Sequence, residues 1–300
     1  MTTLCQYKLC TKVTSPLPLS ECSLDLSDDS ILSLSASSLT SDVDNPYLTE
    51  WIHDLGLSMA DREVLVSGKL LTANHIAAAT RLMKKSFPSQ NGLQDTHYLA
   101  EKGEWNSGVD GFVQIIYIDP GHWACLSNKF SDDVELFDSM LTTPIEGDNI
   151  IQQACCILQS EEPSLTVNVV GVQPQFGGAD CGLFAISMAF ELCSDVDPFT
   201  QKVVQERMRE HLVSCFEKSR MSSFPKVPRR AMDQRKRIVN SVSVGIYCVC
   251  RHVEEGQMVM CEVCHEWYHQ HCISIPPEVF KRNSPPWECH KCKWKLARLC

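Results

Sequence analysis

The sequence predicts an α+β domain followed by a small cysteine-rich module, and three observations carry that expectation. Between Pro46 and Pro225, stretches with a two-residue apolar period alternate with stretches whose apolar positions fall three and four apart. Seven of the 17 cysteines (Cys248, Cys250, Cys261, Cys264, Cys272, Cys289 and Cys292) crowd the stretch 248–292. The 44% hydrophobic content is enough to build at least one buried core.

Taken in order, residues 1–45 form a leader. Its stretch 14–45 is rich in Ser and Asp, lacks aromatics and shows no sustained period, which predicts disorder. The folded domain is expected over 46–225. A helix is predicted at Ala73 to Lys85, with Ile76, Ala79, Leu82 and Met83 on one face. Strands are predicted at Phe112 to Ile118, His122 to Ser127, Val134 to Asp138 and Leu165 to Val172, with a helix over Asn149 to Leu158 among them. Beyond Cys181 the pattern is helical at Gly182 to Leu192 and Gln201 to Glu217. Residues 226–244 read as a basic linker: Lys218 to Asn240 carry eight basic residues against Asp233 alone. The segment reads as a solvated connector, or as a nuclear localisation signal around RRAMDQRKR. The cysteine-rich module occupies 245–300.

Composition narrows the function classes. A net charge of −10 argues against a duplex-binding protein, and no sequence-specific nucleic-acid binding is expected. No apolar run reaches the roughly 18 residues of a membrane span, and the N-terminus lacks the pattern of a signal peptide, so a soluble intracellular protein is expected. An odd number of cysteines in such a chain points to metal or thiol chemistry rather than a disulfide framework.

From Tyr247 the ligand spacing is C-x-C, ten residues, C-x2-C, four residues, His, Cys three positions on, sixteen residues, C-x2-C. Thiolate and imidazole ligands suit zinc, and eight of them make two closed, structural sites with no open position for water. This pattern resembles a PHD finger. The resemblance implies a cross-brace, with Cys248, Cys250, His269 and Cys272 on one ion and Cys261, Cys264, Cys289 and Cys292 on the other, and it makes Trp287 the core tryptophan. It also implies a reader of the histone H3 tail, with Tyr247, Met258 and Trp267 at the positions of a methyl-lysine cage and Glu262 at an acidic position that can pair with a histone arginine. His265, His271 and His290 are expected to be exposed. A RING-variant ubiquitin ligase uses the same ligand types with a different opening pair and different linker lengths.

A second chemical centre lies upstream. PQFGGADCGLFAISMAFEL puts Cys181 between a Gly-rich turn and an apolar helix, where the helix N-terminus favours a thiolate. Such a thiol needs a base and an orienting acid; His122 begins one predicted strand and Asp138 ends the next, so a hairpin brings them together. Gln175, six residues before the thiol, can donate to an oxyanion, with Gly177 and Gly178 permitting the turn. HW, then FDS, then Q-x5-C within DCG resembles the ubiquitin-like protein proteases of the SUMO-processing and adenain group, over roughly Leu70 to Pro225. The resemblance implies a papain-like, adenain-type fold, His122 as general base and acid, Asp138 as its partner, Cys181 as nucleophile, and Gln175 with the Cys181 N–H as oxyanion hole. No catalytic cofactor is implied. Trp123 matches one of two tryptophans that clamp the substrate's Gly-Gly tail; Leu70 stands where the other is expected.

The expected function is removal of ubiquitin-like modifiers from conjugates by a nuclear protein that also reads methylated histone H3. A catalytically inactive chromatin adaptor and a thioester-forming acetyltransferase remain as alternatives. Asp119 and Asp133 are rival acids to Asp138. His53, His75, His97, His211, Cys155 and Cys156 are read as structural or exposed.

Overall fold

The computed structural model describes residues 49–96, 110–118, 121–140, 148–158, 160–227, 236–281 and 284–297. The leader, Asp119 and His97 lie outside them. Its centre is a five-stranded sheet of β3 (Val113–Ile118), β4 (His122–Ser127), β5 (Val134–Phe137), β6 (Ser164–Val170) and β7 (Ile238–Gly245), neighbouring in that order. β5 and β6 are parallel and the other three pairings antiparallel. A small antiparallel pair, β1 (Glu50–Ile52) and β2 (Leu57–Ser58), precedes it.

Side chains alternate across the sheet as the two-residue period requires. Val113, Ile115, Trp123, Cys125 and Phe137 face one core, shared with helices α1 (Met59–Val66), α2 (Ala73–Ser86), α4 (Cys181–Cys193) and α5 (Met208–Glu217). Ile116, Ala124, Leu126, Leu136, Leu165, Val167 and Val169 face a second core, closed by α3 (Asp148–Leu158). α3 is the crossover that joins the parallel strands β5 and β6. All thirteen residues of α4 are buried, which is why its sequence is apolar all round. α2 starts at a reciprocal cap. The Thr72 N–H donates to Nδ1 of His75, whose Nε2–H reaches the Asp61 carbonyl at 2.9 Å. His75, fully buried, is thus a structural residue.

The predicted elements from Ala73 to Leu192 appear with shifts of one or two residues at their ends, and the helix expected from Gln201 begins as a 3-10 turn at Gln205–Arg207 before α5. The stretch read as a basic linker, 226–244, requires correction. Its second half is β7, paired with β6 from Ser164↔Gly245 to Val170↔Ile238. Val242 and Val244 pack on the second core, and Ile246, 2% exposed, belongs to it. Two of the basic residues are likewise structural. Arg237 binds both carboxylate oxygens of buried Glu135 on β5 and, through Nε, Asp197 at 2.9 Å. Lys226 pairs with Glu191 at 2.7 Å. Apolar residues at every second position, Ile238, Asn240, Val242 and Val244 with one polar exception, signal the strand; the flanking charge masks it.

The cysteine-rich module follows β7 without a spacer. It holds a hairpin of β8 (Met258–Met260) and β9 (Trp267–His269) and ends in α6 (His290–Ala297). Gly245 leaves room at the junction for the Tyr247 ring, whose hydroxyl would lie 2.3 Å from a Cβ there and would have to turn aside. The module also touches the sheet domain beyond the strand. The Arg251 guanidinium donates to the carbonyls of Ser160, Glu161 and Glu162, Val253 packs on the second core, and Cys156 Sγ lies 3.7 Å from His252 Nε2.

Candidate functional site

Three segments converge at one end of the sheet. β4 starts there and its antiparallel neighbour β5 ends there, so His122 meets Asp138, the residue after β5. His122 Nε2 donates to Asp138 Oδ1 at 2.7 Å, with both side chains buried. The Met140 N–H donates to the same oxygen at 2.8 Å and fixes the carboxylate. β6 runs parallel to β5 and so ends on the same side; the loop 171–180 leads from it into α4, whose first residue is Cys181. The unpaired N–H groups of the first helical turn favour negative charge there. Gly182 permits the close approach of this helix end, since a Cβ on it would stand 3.0 Å from the Leu71 side chain.

The electrostatics follow from this placement. Burial opposes protonation of His122, but the Asp138 carboxylate and the Cys181 thiol outweigh it and lift the imidazolium to about 9. His122 Nδ1 is buried and meets no hydrogen-bond partner among the described residues; besides Asp138, the group acting on the ring is the Cys181 thiol. The imidazole can therefore hold a proton on the side away from its acid.

Gln175 is tied to the loop that follows the acid. Its N–H donates to the Ser139 carbonyl at 2.8 Å and its Oε1 accepts from Ser139 Oγ at 2.7 Å, while Nε2 donates to the Gly177 carbonyl at 2.8 Å. Gly177 takes a left-handed φ of 77°. Trp123 is almost wholly in the core, 5% exposed, with its indole N–H on the Leu71 carbonyl at 3.0 Å and its ring edge-on to Tyr117. Leu70 is 47% exposed, and Phe176, beside Gln175, is 90% exposed. The rival Asp133 is elsewhere, accepting from Asn168.

Sequence reasoning missed the groups that brace this loop. Ser139 is one. Gln205 bonds both backbone groups of Phe176 and the Asp180 carboxylate, and Arg209 grips Asp180 Oδ1 through two nitrogens at 2.6 and 3.1 Å. Nothing local marks these two, because they come from the turn and helix some thirty residues away. Also unforeseen is a second thiol–imidazole pair, Cys215 and His211 at 3.4 Å on α5. Burial would raise the Cys215 pKa, but His211 and Ser222 reverse that and lower it.

The cysteine-rich module gathers its ligands in two groups, Cys248, Cys250, His269, Cys272 and Cys261, Cys264, Cys289, Cys292, with the ligand atoms of each within 4.8 Å of one another. Zinc–sulfur bonds of about 2.3 Å in a tetrahedron put ligand atoms about 3.8 Å apart. Cys264 and Cys289 sulfurs are 3.9 Å apart, and His269 Nδ1 lies 3.3 Å from Cys250 and 3.8 Å from Cys272. His269 Nε2 donates to the Val253 carbonyl at 2.9 Å, which leaves Nδ1 as the ligand. Four of the six residues in the module's buried cluster are ligand cysteines, so the residues fit a metal that substitutes for a core. Tyr268 packs edge-on to Trp287 in what remains. On the β8–β9 hairpin, Met258 pairs with His269 and Met260 with Trp267, which puts Met258, Met260 and the exposed Trp267 on one face. Glu262, His265, His271 and His290 are exposed.

The PHD-finger family model matches residues 248–292. Over 51 residues, 17% of the chain, it is 35% identical to Lid2 complex component lid2 of Schizosaccharomyces pombe, and over 37 residues, 11% of the chain, 60% identical to Protein ECM5 of Saccharomyces cerevisiae. Each match spans 3% of the relative's own length. Among solved structures, the C-terminal Ulp1 protease domain in complex with Smt3, the yeast ortholog of SUMO, is similar over 54% of this chain and 83% of its own (TM-score 0.40, 14% identity). Xanthomonas campestris effector XopD bound to ubiquitin is similar over 49% and 91% (TM-score 0.35, 12% identity). The chain thus matches the PHD-finger model at its cysteine-rich module, with Cys/His clusters suited to zinc, behind a mixed α/β domain.

Proposed function

We propose that this chain is a cysteine isopeptidase that removes or processes a ubiquitin-like modifier, coupled to a PHD finger that reads a methylated histone H3 tail in the nucleus. The observation that carries the first half is His122 held at 2.7 Å by buried Asp138 and acted on by Cys181 at the start of α4. The Cys181 thiolate attacks the carbonyl carbon of the modifier's C-terminal glycine. The resulting oxyanion is received by Gln175 Nε2 and the Cys181 N–H, and preorganised donors of this kind are each worth about 10²–10³ in rate. The His122 imidazolium passes its proton to the departing lysine amine, leaving a thioester. His122, now neutral, takes a proton from water, which attacks the thioester and frees the modifier. Asp138 keeps the ring in the required tautomer throughout.

Exposed Leu70, Met140 and Phe176 supply apolar surface for a protein substrate, whereas Trp123, buried in the first core, would have to be uncovered to line a glycine tail. In the finger, two structural zinc ions would be held by the two ligand groups, supplying folding free energy and no chemistry. Tyr247, Met258 and Trp267 would surround a methylated ammonium, for which aromatic faces provide the attraction.

Covalent capture tests the enzyme half. Full-length protein and Cys181→Ala are exposed to ubiquitin, SUMO and other modifiers bearing C-terminal electrophiles. A Cys181-dependent adduct with one of them is expected. No adduct with any, together with intact binding to methylated histone peptide, would select the inactive adaptor, a reading that Leu70 in place of an aromatic clamp favours.

A further inference from the structure

Ser139 follows the orienting acid directly, is fully buried, and is bonded twice to the residue assigned above to the oxyanion. A glutamine amide presents a carbonyl at one end and an NH2 at the other, and a half-turn of its terminal torsion exchanges them. The Gly177 carbonyl accepts only, so it requires Nε2 on its side. The Ser139 hydroxyl then donates to Oε1 and holds the other end. One Nε2 hydrogen is thereby used on Gly177 and the second remains for a substrate oxygen. Turned the other way, the amide would set Oε1 against both the Gly177 carbonyl and the incoming oxyanion.

We propose that Ser139 is a positioning residue that fixes the Gln175 amide with its NH2 toward the reacting carbonyl, coupling the acid loop to the oxyanion loop. The inference rests on the oxyanion role proposed for Gln175. It makes the FDS tripeptide a two-function element, with Asp138 serving the imidazole and Ser139 serving the amide.

The test uses a Gly-Gly p-nitrophenyl ester. Cys181 sulfur attacks its carbonyl, p-nitrophenolate leaves, and water hydrolyses the thioester, so an oxyanion forms without any ubiquitin-like body. The full chain, Ser139→Ala, Ser139→Thr, Gln175→Ala and the Ser139→Ala/Gln175→Ala double variant are compared for kcat and KM. Cys181 alkylation by iodoacetamide, a displacement with no oxyanion, is measured in parallel as the readout of thiol and fold. Ser139→Ala is expected to lower kcat about tenfold to a hundredfold, part of the 10²–10³ of a lost donor. KM and alkylation should be unchanged, Ser139→Thr should recover much of the loss, and the double variant should be no slower than Gln175→Ala. Unchanged kcat, additive losses in the double variant, or alkylation that falls in step with kcat would overturn the proposal. Wild-type protein inert to the ester overturns it together with the thiol mechanism. Wild-type protein that turns over the ester with the expected Ser139 pattern, yet reacts with no ubiquitin-like substrate, upholds Ser139 and removes only the modifier reading.

Discussion

Replacing Arg237 by Ala should destabilise the sheet domain more than any other single surface truncation in the former linker. The Glu135 side chain on β5 is 1% exposed, and Arg237 covers it from the start of β7 with two nitrogens. Removing the guanidinium leaves a carboxylate buried without its charge partner, which costs about 3–5 kcal/mol. The arginine itself is 31% exposed, so solvent reaches the gap and the lower end, about 3 kcal/mol, is the working figure. For a domain of this size each kcal/mol moves the melting temperature by about 2–4 °C, which predicts a drop of roughly 6–12 °C. Calorimetry or circular dichroism reads the melt, and hydrogen exchange of the 238–245 amides reports whether β7 loosens first. The Glu135→Leu/Arg237→Met double variant should regain most of the loss, because apolar replacement of a buried pair is near neutral. An Arg237→Ala melt within 2 °C of the parent, or a double variant no better than the single, would show that this pair does not anchor β7.

The remaining predictions concern the strand, the metal and the imidazole. A chain ending at Pro225 should melt well below one ending at Ile246, because only the longer retains β7 with Val242, Val244 and Ile246 over the second core; equal melting would refute the role of the strand. Chelation of zinc should unfold the finger and also lower the melting temperature of the sheet domain, since Cys248 lies two residues after Ile246; fluorescence and exchange of β6 amides distinguish the two transitions. His122 is more basic folded than unfolded, so its contribution to stability is complete below the ordinary histidine pKa of about 6.5 and fades as pH rises through about 9. A stability–pH profile should show that decline, and Asp138→Asn should flatten it.

How much of this was legible depended on how local the signal is. The zinc ligands were readable because eight Cys and His residues stand at the short spacings of closed metal sites, while their division between two ions came from the resemblance to a PHD finger. Cys181, His122 and Asp138 were readable because each sits at the end of a strongly patterned element, and the ends of β4 and β5 must coincide in an antiparallel pair. Gln205 and Arg209 were not, since their contact with Phe176 and Asp180 depends on how α5 packs across the first core. Ser139 fell between these cases: its neighbour was read for its charge, whereas its own role is a hydroxyl proton directed at an amide on another loop.

The misreading of 226–244 has a physical lesson of its own. Charge density in a short segment argues for solvation only if the charges lack buried partners, and the sequence does not show where those partners lie. Glu135 stands alone between apolar residues in the VELF strand, a carboxylate that no strand core tolerates unless a cation meets it. That demand, set on β5, is met by Arg237 across β6, and the apolar alternation of Ile238, Val242 and Val244 then carries the chain along the sheet as its fifth strand. Because the same strand runs on through Ile246 into Cys248, the finger is joined to the thiol domain by backbone pairing and a shared core. The finger therefore continues from a paired strand of the sheet domain, rather than from the end of a free tether.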